Sequence, residues 1–229
     1  MKEILIYELN EQDELTESAL KLCERSEEVD TQKGMKEARE IIAEIKSTIR
    51  KKEIASLAAP AIGFGKRIFC VNFSDNEIKT FINPVIMGAE GLVLSDETSA
   101  VLPGRRFLVP RNNKITLFYT TPLGKVESRE ISGVAAAVIQ QEVNLLDGVT
   151  LSDIGLEIDS RFDEATQEER EELINAYLDS LDIKQKEIDK EIQGDPELKQ
   201  IADAIDFMAK KESGEIETVV EEIPKESQE

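Results

Sequence analysis

The sequence predicts an α+β fold: a mainly antiparallel or mixed sheet, a helix that follows it, and an acidic helical C-terminal extension. Three observations lead there. Residues 67–132 hold four short segments rich in β-branched and aromatic side chains, separated by turn chemistry. Residues 133–146 (GVAAAVIQQEVNLL) then form a helical stretch that stops at Asp147-Gly148. From Glu157 onward the chain carries 24 Asp/Glu against 9 Lys/Arg, leaving 24 against 19 before it, so −15 of the net charge of −20 lies in the last third.

Composition narrows the class. Of 229 residues, 40% are hydrophobic and 33% charged, with few aromatics and no Trp, which fits a globular chain whose core relies on aliphatic side chains. No segment approaches the roughly 18 consecutive apolar residues of a membrane span. The opening MKEILIYELNEQDEL turns acidic after a short apolar patch and lacks the apolar stretch of a secretory signal, so a cytoplasmic location is expected. Cys23 and Cys70 form no CxxC pair and are expected to stay reduced, Cys70 as a small core residue. The acidic segment should repel nucleic acid and anionic lipid, so neither is expected as its partner.

In chain order, residues 15–28 and 34–52 read as helices, the second with Ala38, Ile41, Ile42, Ile45 and Ile49 on one apolar stripe. Residues 67–73, 79–87, 114–121 and 125–132 read as strands, and 133–146 as the next helix. Residues 164–192 contain no Gly or Pro, and Thr166 with Glu169 has the spacing of a capping box. Leu173, Ala176, Tyr177 and Leu181, extended by Ile188 and Ile192, are expected on one side. A further helix is signalled by Asp195 and Pro196 and runs to Lys211 with Ile201, Ile205 and Met208 on one face. The expected organisation is a domain over 1–156, an acidic helical extension over 157–211 and a disordered acidic tail over 212–229.

Four motifs carry a resemblance. SLAAPAIG (56–63) is similar to GLAAPQIG of the peptide deformylase family, and INPVI (82–86) resembles that family's asparagine-proline strand. ETSAVLPG (97–104) aligns with EGCLSVPG, and QQEVNLLDG (140–148) with QHEIDHLNG. Their order and spacing over residues 1–155 make the resemblance far more specific than any one motif. It implies small, mainly antiparallel sheets packed around a central helix that bears a metal site.

The resemblance also implies a mechanism. A divalent ion such as iron is held by a Cys thiolate and two imidazoles one helical turn apart, and it lowers the pKa of a bound water. A glutamate takes the water's proton, while a glutamine side chain and a backbone N–H stabilise the oxyanion. Carried over residue by residue, the thiolate falls at Ser99, the imidazoles at Gln141 and Leu145, and the glutamine at Ala61. Glu142 keeps the general-base position, and Ala100 supplies whatever backbone N–H remains. No His exists anywhere in the chain.

The expectation is therefore a catalytically inactive homologue with no metal and no cofactor, acting as a peptide- or protein-binding or regulatory module. Leu57, Ala58, Ala59, Pro60, Ala100 and Val101 are the expected lining of its peptide cleft. A nascent chain or other peptide, and a basic protein for the acidic extension, are the expected partners. The alternative is an active deformylase that removes the formyl group from N-terminal formyl-methionine through an unrecognised Fe or Zn site, with Glu142 as general base. A variant of this alternative gathers Asp96, Glu97, Gln141, Glu142 and Asn144 into an oxygen-rich site for Mg or Ca.

Overall fold

The computed structural model describes residues 2–73 and 77–194. The chain divides into two compact units, Met1–Ala165 and Thr166–Glu229. The first reaches past the expected limit at 156 because Leu156–Ile158 form a strand against Arg106–Leu108. Arg105 fixes that strand with a two-pronged bond to Glu157 at 2.7 and 2.8 Å.

The elements run α1 (Glu17–Leu22), α2 (Met35–Lys52), β1 (Ser56–Ala58), a 3-10 helix (Ala59–Ile62), β2 (Ile68–Asn72), β3 (Ile78–Ser99), β4 (Leu102–Thr120) and β5 (Val126–Ser132). They continue with α3 (Val134–Leu146), α4 (Leu151–Ile154), β6 (Leu156–Ile158), α5 (Ser160–Glu164) and, in the second unit, α6 (Gln167–Gly194). The strands pair antiparallel in the order β1-β2-β3-β4-β5, and β6 adds to β4.

The α+β class stands, with two differences in detail. α1 is shorter than the predicted 15–28, because beyond Cys23 the backbone bonds elsewhere: Ser26 N–H donates to Leu146 O and Glu27 N–H to Gly65 O. β3 and β4 are far longer than predicted and pair from Ile82↔Thr120 to Ser99↔Leu102, with register shifts at Ile82/Val85, Ile86/Gly88 and Thr98/Ser99. The first two fall within the segment read as a strand over 79–87, and the third takes up Pro103-Gly104, read as a turn in the sequence.

The predicted stripe of α2 is buried throughout and packs with Phe69, Phe81, Phe107, Ile139 and Leu146 in one core. Each of the isoleucines in that stripe contributes about 1.5–3 kcal/mol by leaving water. Phe69 and Phe81 stack at 4.8 Å, and Tyr119 meets Phe81 edge-on at the same distance.

The end of α3 is held by two devices. The Arg67 guanidinium bonds Asp147 Oδ1 and reaches the Leu146 carbonyl. Gly148 follows at φ +79°, where an added Cβ would lie 2.2 Å from the Cys23 carbonyl oxygen, so only glycine fits. Asn83, at φ 48°, is stabilised by bonds to both backbone groups of Val29, which accounts for the asparagine in INPVI.

In α6 the predicted capping box forms: Glu169 N–H donates to Thr166 Oγ1 and Thr166 N–H to Glu169 Oε2. Its less exposed line is Ile174, Tyr177, Leu178 and Leu181, one step from the predicted one, and Leu173 and Ala176 are exposed. The helix predicted over 195–211 and the tail over 212–229 lie outside the described residues. Among the described residues, no helix is long and apolar enough to cross a membrane.

Candidate functional site

One face of α3 lines a cavity of about 290 Å³. Gln141, Glu142 and Leu145 point there together because positions i, i+1 and i+4 share a helical face. The facing walls are Ser56, Leu57 and Ala58 of β1 with Glu53, Ile54 and Ala55 before them, Ala61 of the 3-10 helix, and Thr98–Val101 at the β3–β4 turn. Nine of the residues singled out from the sequence thus meet in one place: Leu57, Ala58, Ala61, Ser99, Ala100, Val101, Gln141, Glu142 and Leu145. Ala59 and Pro60 do not line it. Both are buried in the first turn of the 3-10 helix, where proline's missing N–H costs nothing.

Glu142 is only 4% exposed. Its Oε1 accepts a 2.6 Å hydrogen bond from Ser56 Oγ, whereas no described side chain or backbone group completes a hydrogen bond to Oε2. Burial pushes the carboxyl's pKa up to about 7, with the Ser56 hydroxyl and the Ala58 backbone N–H pulling weakly the other way.

Glu53 adds an exposed acid at the rim, whereas Gln141 and Ser99 are neutral and engaged. Gln141 Nε2 donates to the Thr98 carbonyl at 3.2 Å, and Ser99 Oγ accepts from Val101 N–H at 3.4 Å. Leu145 presents an isobutyl group, 7% exposed. Cys70 does not line the cavity: its sulfur bonds Thr80 Oγ1, and burial pushes the thiol up to about 11, so no thiolate is on offer.

The oxygen-rich cluster imagined from the sequence does not form. Glu97 is buried and receives both Nε and Nη2 of Arg111 at 2.8 Å, while Arg111 Nη1 bonds Asn144 Oδ1. Asp96 turns to the surface and pairs with Arg106, which also binds Asp163. A buried guanidinium claims the acids that the cluster needed. Among the described residues, no three His, Cys, Asp or Glu side chains are grouped to hold a metal. One carboxylate, a hydroxyl and an amide beside a leucine do not fit the thiolate and imidazole ligation of iron or zinc.

This arrangement, a central helix bearing one buried glutamate over a cleft walled by β1 and the β3–β4 turn, can be compared with known proteins. A model of the polypeptide deformylase family matches residues 12–159. The chain belongs to that family. A peptide deformylase of Dictyoglomus turgidum is 31% identical over 117 residues, covering 51% of this chain and 76% of the relative. One from Natranaerobius thermophilus is 32% identical over 124 residues, covering 52% and 76%. Among solved structures, a probable peptide deformylase from synechococcus phage S-SSM7 superposes with a TM-score of 0.57 at 26% identity over 65% of this chain and 99% of its own. The Thermus thermophilus peptide deformylase gives 0.55 at 27% identity over 82% and 99%.

Membership in the family leaves two features of the site that the sequence reading missed. Ser56, which donates to Glu142, stands where the family motif GLAAPQIG begins with glycine, and that first letter was the available signal. The Glu97–Arg111–Asn144 network had no local signal, since its members lie 14 and 33 residues apart.

Proposed function

We propose that this family member binds an extended peptide in the cleft along α3 and does not deformylate it. The carrying observation is the composition of the wall beside Glu142: Leu145 fills one turn, and Gln141 and Ser99 are neutral groups already engaged by Thr98 and Val101. Without a metal, Glu142 faces a water of pKa about 15.7 rather than one lowered to about 7, and a single carboxylate does not make up that difference. The oxyanion side loses its side-chain donor and keeps only the backbone N–H of Ala100: a methyl group stands at Ala61, and Gln141 Nε2 donates to the Thr98 carbonyl.

What supports peptide binding is the edge of the sheet. β1 pairs only with β2 among the described strands, and its residues border the cavity. An extended chain adding to such an edge gains backbone hydrogen bonds and places alternate side chains in the pocket. A family member from Acinetobacter baumannii, with a TM-score of 0.56 and 19% identity, has been solved with Met-Ala-Ser bound. By this reading the peptide is a nascent chain or another free N-terminal segment, and the acidic region from Glu157 suits a basic protein neighbour in the cytoplasm.

One observation favours the alternative of an active enzyme. A carboxyl of pKa about 7 is where a general base is poised. The deciding experiment is formate release from a formyl-Met peptide, with protein prepared anaerobically and supplied in turn with Fe, Ni, Co, Zn and Mg. No turnover with any ion is expected. Metal-dependent turnover that disappears in Glu142→Gln would restore the deformylase reading.

A further inference from the structure

We infer that α6 joins two copies of this chain as a parallel coiled coil. The inference concerns the second unit alone and does not depend on what the cleft holds. Its starting point is a spacing. Ile174, Leu178, Leu181, Gln185, Ile188 and Ile192 follow one another at alternating intervals of four and three residues, the spacing of a heptad seam. α6 carries that pattern over 28 residues with no interior Gly or Pro, a rod of about 42 Å.

The width of the stripe separates two uses. A helix that packs on its own domain shows an apolar face at least ~100° wide, whereas a narrow line at positions a and d marks a coiled-coil seam. Here Leu178, Gln185 and Ile192 fall at a, and Ile174, Leu181 and Ile188 at d. The flanking e and g positions hold Asn175, Tyr177, Asp182, Lys184, Asp189 and Glu191, all charged or amide residues except the tyrosine, so the line is narrow. Two apolar residues, Leu173 and Ile183, fall off it. The chain covers the line only in part, since Ile174, Tyr177, Leu178 and Leu181 keep a share of their surface in water. A second copy recovers that area at roughly 25 cal/mol per Å².

Charge and polarity choose the orientation. In a parallel pair each g position lies beside the e position of the partner's next heptad, which sets Lys184 beside Asp189 of the second copy, twice by symmetry. In an antiparallel pair about the middle of the seam, Lys184 meets Lys184 and Asp182 meets Asp182, and like charges count against it. Gln185 points the same way. A parallel pair in register sets this amide against its own copy, donor to acceptor, and a lone polar residue at an a position fixes register. An antiparallel pair sets it against Leu181.

The test is sedimentation equilibrium of the full chain over a concentration series, where the mass of two chains is expected. Leu181→Glu should weaken the association at least about a hundredfold, the scale of losing one buried leucine. Leu173→Glu, at an exposed position off the seam, should leave it unchanged. Orientation is read by Ile192→Cys in a Cys23→Ser background, which removes the exposed native thiol. An interchain disulfide is expected on oxidation, because an antiparallel pair would hold the two thiols about 27 Å apart. A single-chain mass at every concentration would overturn the inference and leave the stripe to residues of its own chain. A dimer that Leu181→Glu spares would overturn it too, by placing the interface elsewhere. A dimer that does not cross-link through residue 192 would overturn the parallel arrangement.

Discussion

The two faces of α3 treat buried charge in opposite ways. Toward the β3–β4 hairpin, Asn144 and the neighbouring Gln140 are engaged: Arg111 joins Asn144 to Glu97, and Gln140 exchanges bonds with both backbone groups of Asn112. Toward the cavity, one turn of the same helix leaves Glu142 with the Ser56 hydroxyl on Oε1, the Ala58 backbone N–H nearby, and no well-formed hydrogen bond on Oε2. Two acids, Glu97 and Glu142, are therefore equally hidden from water and unequally satisfied. The satisfied face is scaffold. The unsatisfied face carries a cost to stability of the kind that functional sites retain.

The largest predicted effect breaks the satisfied face. Arg111→Met leaves Glu97 buried without its partner and should cost about 3–5 kcal/mol in urea denaturation. A loss below about 1 kcal/mol would mean that the network contributes nothing beyond a surface pair.

The next prediction sharpens the unsatisfied face through pH. The Glu142 carboxyl rises from 4.5 unfolded to about 7 folded. Between those values the folded state keeps a proton that the unfolded state has released, so its contribution to stability falls as pH rises through the window and levels off above it. The gap corresponds to about 3 kcal/mol. Glu142→Gln should therefore match the parent near pH 4 and exceed its stability by about 3 kcal/mol near pH 8. Denaturation curves across that range test this, and a variant less stable than the parent at about pH 8 would sink it.

Two smaller effects complete the series. Ser56→Gly removes the one side-chain donor to Glu142 and should cost about 1–3 kcal/mol, with the loss shrinking when Glu142→Gln is already present. Arg106→Ala removes a surface fork between Asp96 and Asp163 and should change stability by less than about 1 kcal/mol. A larger loss there would place weight on β6 and α5 that the exposed geometry does not suggest.

Much of this was legible in the sequence, and what was not has a physical reason. The stripe of α2 and the span of α3 could be read because helical burial repeats within one short segment. The outer halves of β3 and β4 could not, since Gly88, Gly91, Pro103 and Pro110 signal turns when taken alone and are accommodated only by pairing with the facing strand. At the site, motif order brought nine residues to the cavity, while Glu97 looked like any loop acid until Arg111 was placed against it. Pairings of that separation are set by the fold and leave no periodic mark. The oxygen-rich cluster failed for the same reason: without its cation, Glu97 looked available.

The separations in the Arg111 network also bear on the order in which the molecule assembles. β3 and β4 can start pairing from the near neighbours Ser99 and Leu102 at their turn, whereas α3 docks through a bond spanning 33 residues. The shorter loop closes at lower entropic cost, so we expect the hairpin to form before the barrier and the helix to settle after it. Glu142 then gives up its water only on the downhill side. Its pH dependence should fall on the unfolding limb of a chevron: raising pH from about 5 to about 8 speeds unfolding and leaves refolding nearly unchanged. A refolding limb that slows with pH would instead put helix docking in the folding nucleus, and make the cavity face of α3 a determinant of how fast the protein folds.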